Sequence, residues 1–156
     1  GVTLDNGTRL PIQKDIQYTI TSGFGKRTLN GEKQFHEGID IAVPIGTQVM
    51  AVADGTVVKV YYEDIKNRGT GYGNAVIVKT ADNIYYLVGH NSEILVDINQ
   101  EVKKGMVIAL SGSSGHSTGP HIHYEIVKGK KGDKWDDYWS KRIRGTNRIN
   151  PLTMKW

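Results

Sequence analysis

Three groups of residues carry chemistry. The first is Phe35-His36-Glu37-Gly38-Ile39-Asp40, where an imidazole and a carboxylate stand four positions apart. On extended chain, side chains at i and i+4 share a face, so His36 and Asp40 can meet at one point while Glu37 and Ile39 turn away. Zinc accepts such nitrogen and oxygen donors, and the spacing is not the helical His-Glu-x-x-His, because Gly38 discourages a helix and the fourth position is Asp. The second group is Thr118-Gly119-Pro120-His121-Ile122-His123-Tyr124-Glu125. In a strand His121 and His123 point to one side, so one imidazole can bind a metal and the other can sit beside it as acid or base; spacing does not say which does which. The third is His90, which follows Gly89 at the end of an expected strand. The chain contains no Cys, so a thiol nucleophile, a disulfide scaffold and a Cys-based zinc finger are excluded, and any metal must be held by His and carboxylates.

The elements that must position these residues read as short strands punctuated by glycine. Residues 49–53 and 56–62 are apolar or β-branched runs flanking Asp54-Gly55, which predicts a hairpin with the tight turn supplied by that dipeptide. Residues 74–79 and 84–89 flank Thr80-Ala81-Asp82-Asn83 as a second hairpin, and 107–111 and 121–127 are further strands. A 3.6-residue apolar period first shows in the tail, where Trp135, Tyr138, Trp139, Arg142 and Ile143 predict one helix, with Asp133 as N-cap and Gly145 as stop. Its aromatic face is expected to pack on the sheet. At 156 residues and 38% hydrophobic content, a mostly β single domain is expected.

Charge and termini narrow the class. Residues 128–156 hold nine Lys/Arg against three Asp and all three Trp, whereas the remainder is slightly acidic. The basic character therefore belongs to a tail, and the body shows no nucleic-acid-binding motif, so no nucleic-acid partner is expected. No window approaches 18 consecutive apolar residues, which argues against a helical membrane span. The start, Gly1-Val2-Thr3, has neither an initiator Met nor a signal-like core, as expected of an excised or processed domain.

Taken together, Gly23-Phe24-Gly25-x-Arg27, Phe35-His36-x-Gly38-x-Asp40, Pro44-x-Gly46-Thr47, Asp54-Gly55, Gly71-Tyr72-Gly73-Asn74, Gly89-His90 and Thr118-Gly119-Pro120-His121-x-His123 resemble the lysostaphin-type (LytM-like) zinc metallopeptidases that cut peptide bonds in bacterial peptidoglycan. The resemblance covers about residues 20–127, and Ile149-Asn150-Pro151-Leu152 is similar to a common family ending. It implies an antiparallel β-sheet core forming an open groove, with a lead-in at 1–19, the catalytic core at 20–127 and a basic, Trp-rich extension at 128–156 packing on that core. It further implies one Zn2+ per chain on His36, Asp40 and His123, with His90 and His121 as unligated catalytic imidazoles whose two roles stay undivided. The implied partner is the peptide part of peptidoglycan, met by a monomer outside the cell or at the wall, in a bacterial autolysin, a bacteriocin or a phage particle. Specificity is expected from loops 26–35, 63–72 and 111–118.

The sequence departs from the family in places. Val88 stands where many members have Tyr or Ala, and Gly89-His90-Asn91-Ser92 is closest to the lysostaphin branch. Residues 28–35 contain no Tyr, so this stretch offers none before the first ligand to assist an oxyanion. His116 is extra and reads as a variable loop residue. A degenerate wall-binding or amidase-regulating module would typically lack one or more of the five site residues, all of which are present. Val102-Lys103-Lys104-Gly105-Met106-Val107-Ile108 resembles the lipoyl or biotinyl carrier signature and that of phosphocarrier domains, but neither explains His36 with Asp40 and His121 with His123.

Overall fold

The computed structural model describes residues 9–29, 31–62, 71–114, 119–139 and 147–156. Strand β1 (Thr19–Ser22) is followed by a hairpin of β2 (Gly25–Leu29) and β3 (Glu32–His36), then by β4 (Ile39–Ala42), β5 (Gln48–Met50), β6 (Gly55–Tyr61), β7 (Asn74–Thr80) and β8 (Ile84–Ile94). After these come β9 (Glu101–Val102), β10 (Val107–Ser111), β11 (Ile122–Lys128), the single turn α1 (Asp136–Trp139) and β12 (Arg148–Ile149). The main sheet runs β1-β4-β11-β8-β7-β6-β9, with β12 added to β11 and with β10 joining β5 to β8. All these pairs are antiparallel, so the mostly β, antiparallel architecture expected from the sequence is observed.

Alternation along the central strands divides the apolar residues between two layers. Val76, Val78, Tyr86, Val88, Ile122, Tyr124 and Ile126 face the larger core, which Leu10 and Ile12 also enter. Ala75, Ile77, Tyr85, Leu87 and Val127 face the other way and are covered by Tyr138 and Trp139. A sheet buried on both faces needs continuous apolar runs rather than alternating polar ones, hence Ala75-Val76-Ile77-Val78. His123 and Glu125 alternate with Ile122, Tyr124 and Ile126, so the site lies on the sheet face that Val127 shares with Tyr138 and Trp139.

Several local expectations are corrected. Asp54-Gly55 does not close a hairpin: β5 pairs with β10, while β6 pairs with β7 and β9. Gly55 lacks a positive φ and is required for space, since a Cβ there would lie 2.8 Å from Val78 Cγ1; Asp54 instead accepts the Lys104 N–H at 2.8 Å. The β7–β8 hairpin is as expected, with Asn83 at φ 60° in its turn. In the tail, α1 begins at Asp136 and Asp133 is not its cap. Asp133 accepts from the Lys130 N–H and the Tyr138 hydroxyl, and it is Asp137 that accepts the Lys134 N–H at 2.9 Å. The expected continuation through Arg142 and Ile143 to Gly145 lies outside the described residues.

Candidate metal and catalytic centre

His36 and Asp40 do not share one extended strand, as their spacing first implies. Along a strand, residues four apart are separated by roughly 13 Å, too far for one metal. The chain instead bends at Glu37-Gly38 between β3 and β4, which brings His36 Nε2 to 3.6 Å from Asp40 Oδ1. Gly38 permits the bend because a Cβ would collide with the Tyr124 carbonyl and come within 2.8 Å of Glu125 Cγ on β11. The register then does the rest: His123 on β11 pairs with Asp40 on one side and with Gly89 on the other.

One donor atom from each of His36, Asp40 and His123 lies within 4.8 Å of the other two, so these residues could hold a metal ion. The donor set fits that use: two imidazoles and a carboxylate, two of the three buried, converge on a point, with His123 Nδ1 at 3.0 Å from Asp40 Oδ1. His121 forms an isolated bridge with Gly112 just before β11, and its Nε2 is 3.6 Å from Asp40 Oδ1. His90 completes the cluster, its ring centroid 4.6 Å from that of His121 and 6.0 Å from that of His123. Thus all four expected imidazoles and Asp40 are brought together, and His116 lies outside the described residues.

The ring orientations follow from what holds each Nδ1. A carbonyl only accepts, so His36 donates Nδ1–H to Gly23 O at 2.9 Å, His121 donates to Gly119 O at 2.8 Å, and His90 donates to Ser114 O. The chemistry of these three rings therefore runs through Nε2. His123 is reversed: Nδ1 faces Asp40 and Nε2 donates to Glu125 Oε2 at 2.8 Å.

His90 sits in an irregularity of its strand. Strand β8 does not end at Gly89 but continues to Ile94, with His90 at φ 61° and a register shift against β7. Its N–H leaves the ladder to bond Tyr72 O at 2.7 Å, which turns the ring into the site.

Electrostatics separate the imidazoles. Burial lowers the His90 pKa to about 4, so this ring is neutral at pH 7. Burial opposes charge on His123 as well, but its hydrogen bonds to Asp40 and Glu125 win and raise its pKa to about 9 in the metal-free protein. Asp40 and Glu125 resist protonation in turn: despite burial, their hydrogen bonds to His123 hold both carboxyls below the ordinary range.

Residues outside the cluster itself support it. Glu125 is fully buried, its Oε1 accepts from Arg148 Nε at 3.0 Å, and Tyr72 bonds the same carboxylate while stacking on the His123 ring at 5.6 Å. The available signal is an acidic residue set between Tyr124 and Ile126-Val127 in a strand, which requires a buried partner.

Residues 34–136 match Peptidase family M23. The chain belongs to that family. Similarity to an uncharacterized metalloprotease of Haemophilus influenzae is 38% identity over 99% of this chain and 29% of the relative. Peptidoglycan DD-endopeptidase ShyA of Vibrio cholerae is 39% identical over 76% of this chain and 26% of its own length. The solved catalytic domain of the prophage-encoded M23 protein EnpA from Enterococcus faecalis is 35% identical, with a TM-score of 0.68 over 92% of this chain and 96% of that one. The M23 match agrees with the family resemblance read from the motifs. The chain spans only 29% and 25% of the length of the first curated relatives it matches. No helix among the described residues is long and apolar enough to cross a membrane.

Proposed function

We propose that this chain is a zinc-dependent endopeptidase that hydrolyses peptide bonds in the stem or cross-bridge peptides of bacterial peptidoglycan. The observation that carries the reading is the placement of His36, Asp40 and His123 within 4.8 Å of one another, with His90 and His121 beside them, in an M23 chain. His36 Nε2, Asp40 Oδ1 and His123 Nδ1 would hold one zinc, and three protein donors are the number used by catalytic rather than structural zinc. Bound there, zinc supplies Lewis acidity that polarises a carbonyl and makes water a nucleophile near neutral pH. His90 and His121 divide two roles: one accepts the proton of the attacking water, and the other donates to the developing oxyanion or to the leaving amine. Burial keeps His90 neutral at pH 7 and so able to accept. The reading places the active molecule at the cell wall, as a monomer, and the basic, Trp-bearing segment 128–156 as an extension of the catalytic core.

All five residues are present and brought together, which a degenerate module of the same fold would not need. The purified chain should contain about one zinc, release soluble fragments from bacterial walls, lose this activity to a chelator and regain it with zinc. Full lytic activity in metal-free protein would overturn the proposal.

A further inference from the structure

Arg148 stands far from the reacting groups in sequence, yet its side chain is only 1% exposed. Its Nε donates to Glu125 Oε1 at 3.0 Å and its Nη2 to Tyr138 O at 3.0 Å, while the guanidinium lies over the Trp139 ring at 5.0 Å. Nη2 also forms an ion pair with Glu37 Oε2 at 3.1 Å, although that contact lacks hydrogen-bond alignment. Arg148 therefore touches a carboxylate next to His36 and another two residues after His123, and it is delivered by β12, which pairs beside Val127 of β11. His36, His90 and His121 are oriented by backbone carbonyls, which are as rigid as the fold. The outer nitrogen of His123 is held by a side chain instead, so the hold on Nε2 is only as firm as Glu125, beside the stacking of Tyr72 on the ring.

The geometry points to Arg148 as a positioning residue of the metal site. By locking Glu125, it makes His123 present Nδ1 toward Asp40 and His36, and metal binding thereby depends on the docked C-terminal segment. This rests on the zinc reading above. Partners that hold the outer nitrogen of a ligating His typically account for about 10–100-fold in metal affinity. A Lys at 148 keeps the charge but not the planar fork, so it can serve Glu125 only in part.

The test uses the whole 156-residue chain with Arg148→Met, Arg148→Lys and, as a control for charge loss at the surface, Lys103→Met; Lys103 is 78% exposed. Zinc affinity is measured by chelator competition. The His123 Nε2–H is followed in 15N ring spectra, with circular dichroism reporting the fold. Expected are zinc affinity about 10–100-fold weaker in Arg148→Met with exchange-broadening of the ring N–H, a smaller loss of both in Arg148→Lys, and no change in Lys103→Met. If Arg148→Met does not fold, Arg148→Lys decides: a fivefold or greater loss with a shifted N–H signal supports the inference, and wild-type affinity and signal overturn it. Folded Arg148→Met with wild-type affinity and N–H signal also overturns it. A wild-type chain that takes up no zinc overturns the functional reading instead, together with what rests on it.

Discussion

Replacing Gly38 with Ala adds one methyl group between two metal-ligand segments. Gly38 is not among the positive-φ glycines, so the substitution carries no backbone strain and its effect is purely one of volume. The added Cβ would lie 2.8 Å from Glu125 Cγ and 2.9 Å from the Tyr124 carbonyl carbon, with the Tyr124 oxygen closer still. Ordinary contact begins at about 3.4 Å, so relieving the Glu125 contact alone takes a parting of about 0.6 Å between β4 and β11, the closer Tyr124 oxygen requires more, and two of the three contacting atoms are backbone. Overpacking of this kind costs about 1–3 kcal/mol. For a chain of this size that corresponds to a fall in Tm of about 2–12 °C. Metal–donor distances hold to within about 0.2 Å, so the same parting, which moves His123 away from His36 and Asp40, should weaken zinc binding. Differential scanning calorimetry on the metal-free chain and chelator competition on the loaded one measure the two effects separately. A Gly38→Ala chain with unchanged Tm and unchanged zinc affinity would refute the steric argument.

Other substitutions separate the roles within the cluster. His123→Ala should lose zinc, whereas His121→Ala should keep it and lose about 10²–10⁴-fold in turnover, checked by metal analysis and wall-digestion rate; equal zinc loss in both would contradict the assignment. Because His123 holds a proton up to about pH 9 in the metal-free protein and zinc requires the neutral ring, zinc binding at pH 7 should release a proton, and affinity should rise with pH until about 9. Calorimetry in buffers of different ionisation enthalpy counts that proton, and a pH-independent affinity between 6.5 and 9 would contradict it. Trp139 is buried against Tyr85 and under Arg148, so Trp139→Ala should destabilise the fold by about 3–5 kcal/mol in denaturant titration; a loss under 1 kcal/mol would mean that the tail contributes little packing.

What could be read from the sequence was what repeats locally. The alternation of Ile122, His123, Tyr124 and Glu125 gives the facing of β11 directly, and the apolar runs of β7 and β8 give the central hairpin, because strand periodicity is a property of neighbouring residues. What could not be read depends on partners distant in sequence. Asp54-Gly55 has hairpin chemistry, but β5 finds its partner in β10, and long-range pairing overrides the local turn signal. The spacing of His36 and Asp40 suggests a shared strand face, whereas their approach comes from a bend whose reason, the Tyr124 backbone, lies more than eighty residues away. Glu125 and Arg148 carry no motif of their own. The apolar neighbours of Glu125 call for a buried partner, but that the partner is Arg148 follows only from the pairing of β12 with β11.

Purified bacterial walls digested by the wild-type chain, with and without a chelator, and followed by mass spectrometry of the released fragments, bring the reaction and its metal dependence into one measurement. Fragments bearing new amino and carboxyl ends within the peptide part, absent when zinc is removed and restored when it is returned, are the predicted result. Fragments with new sugar ends and intact peptides, or peptide cleavage that the chelator leaves untouched, would contradict it.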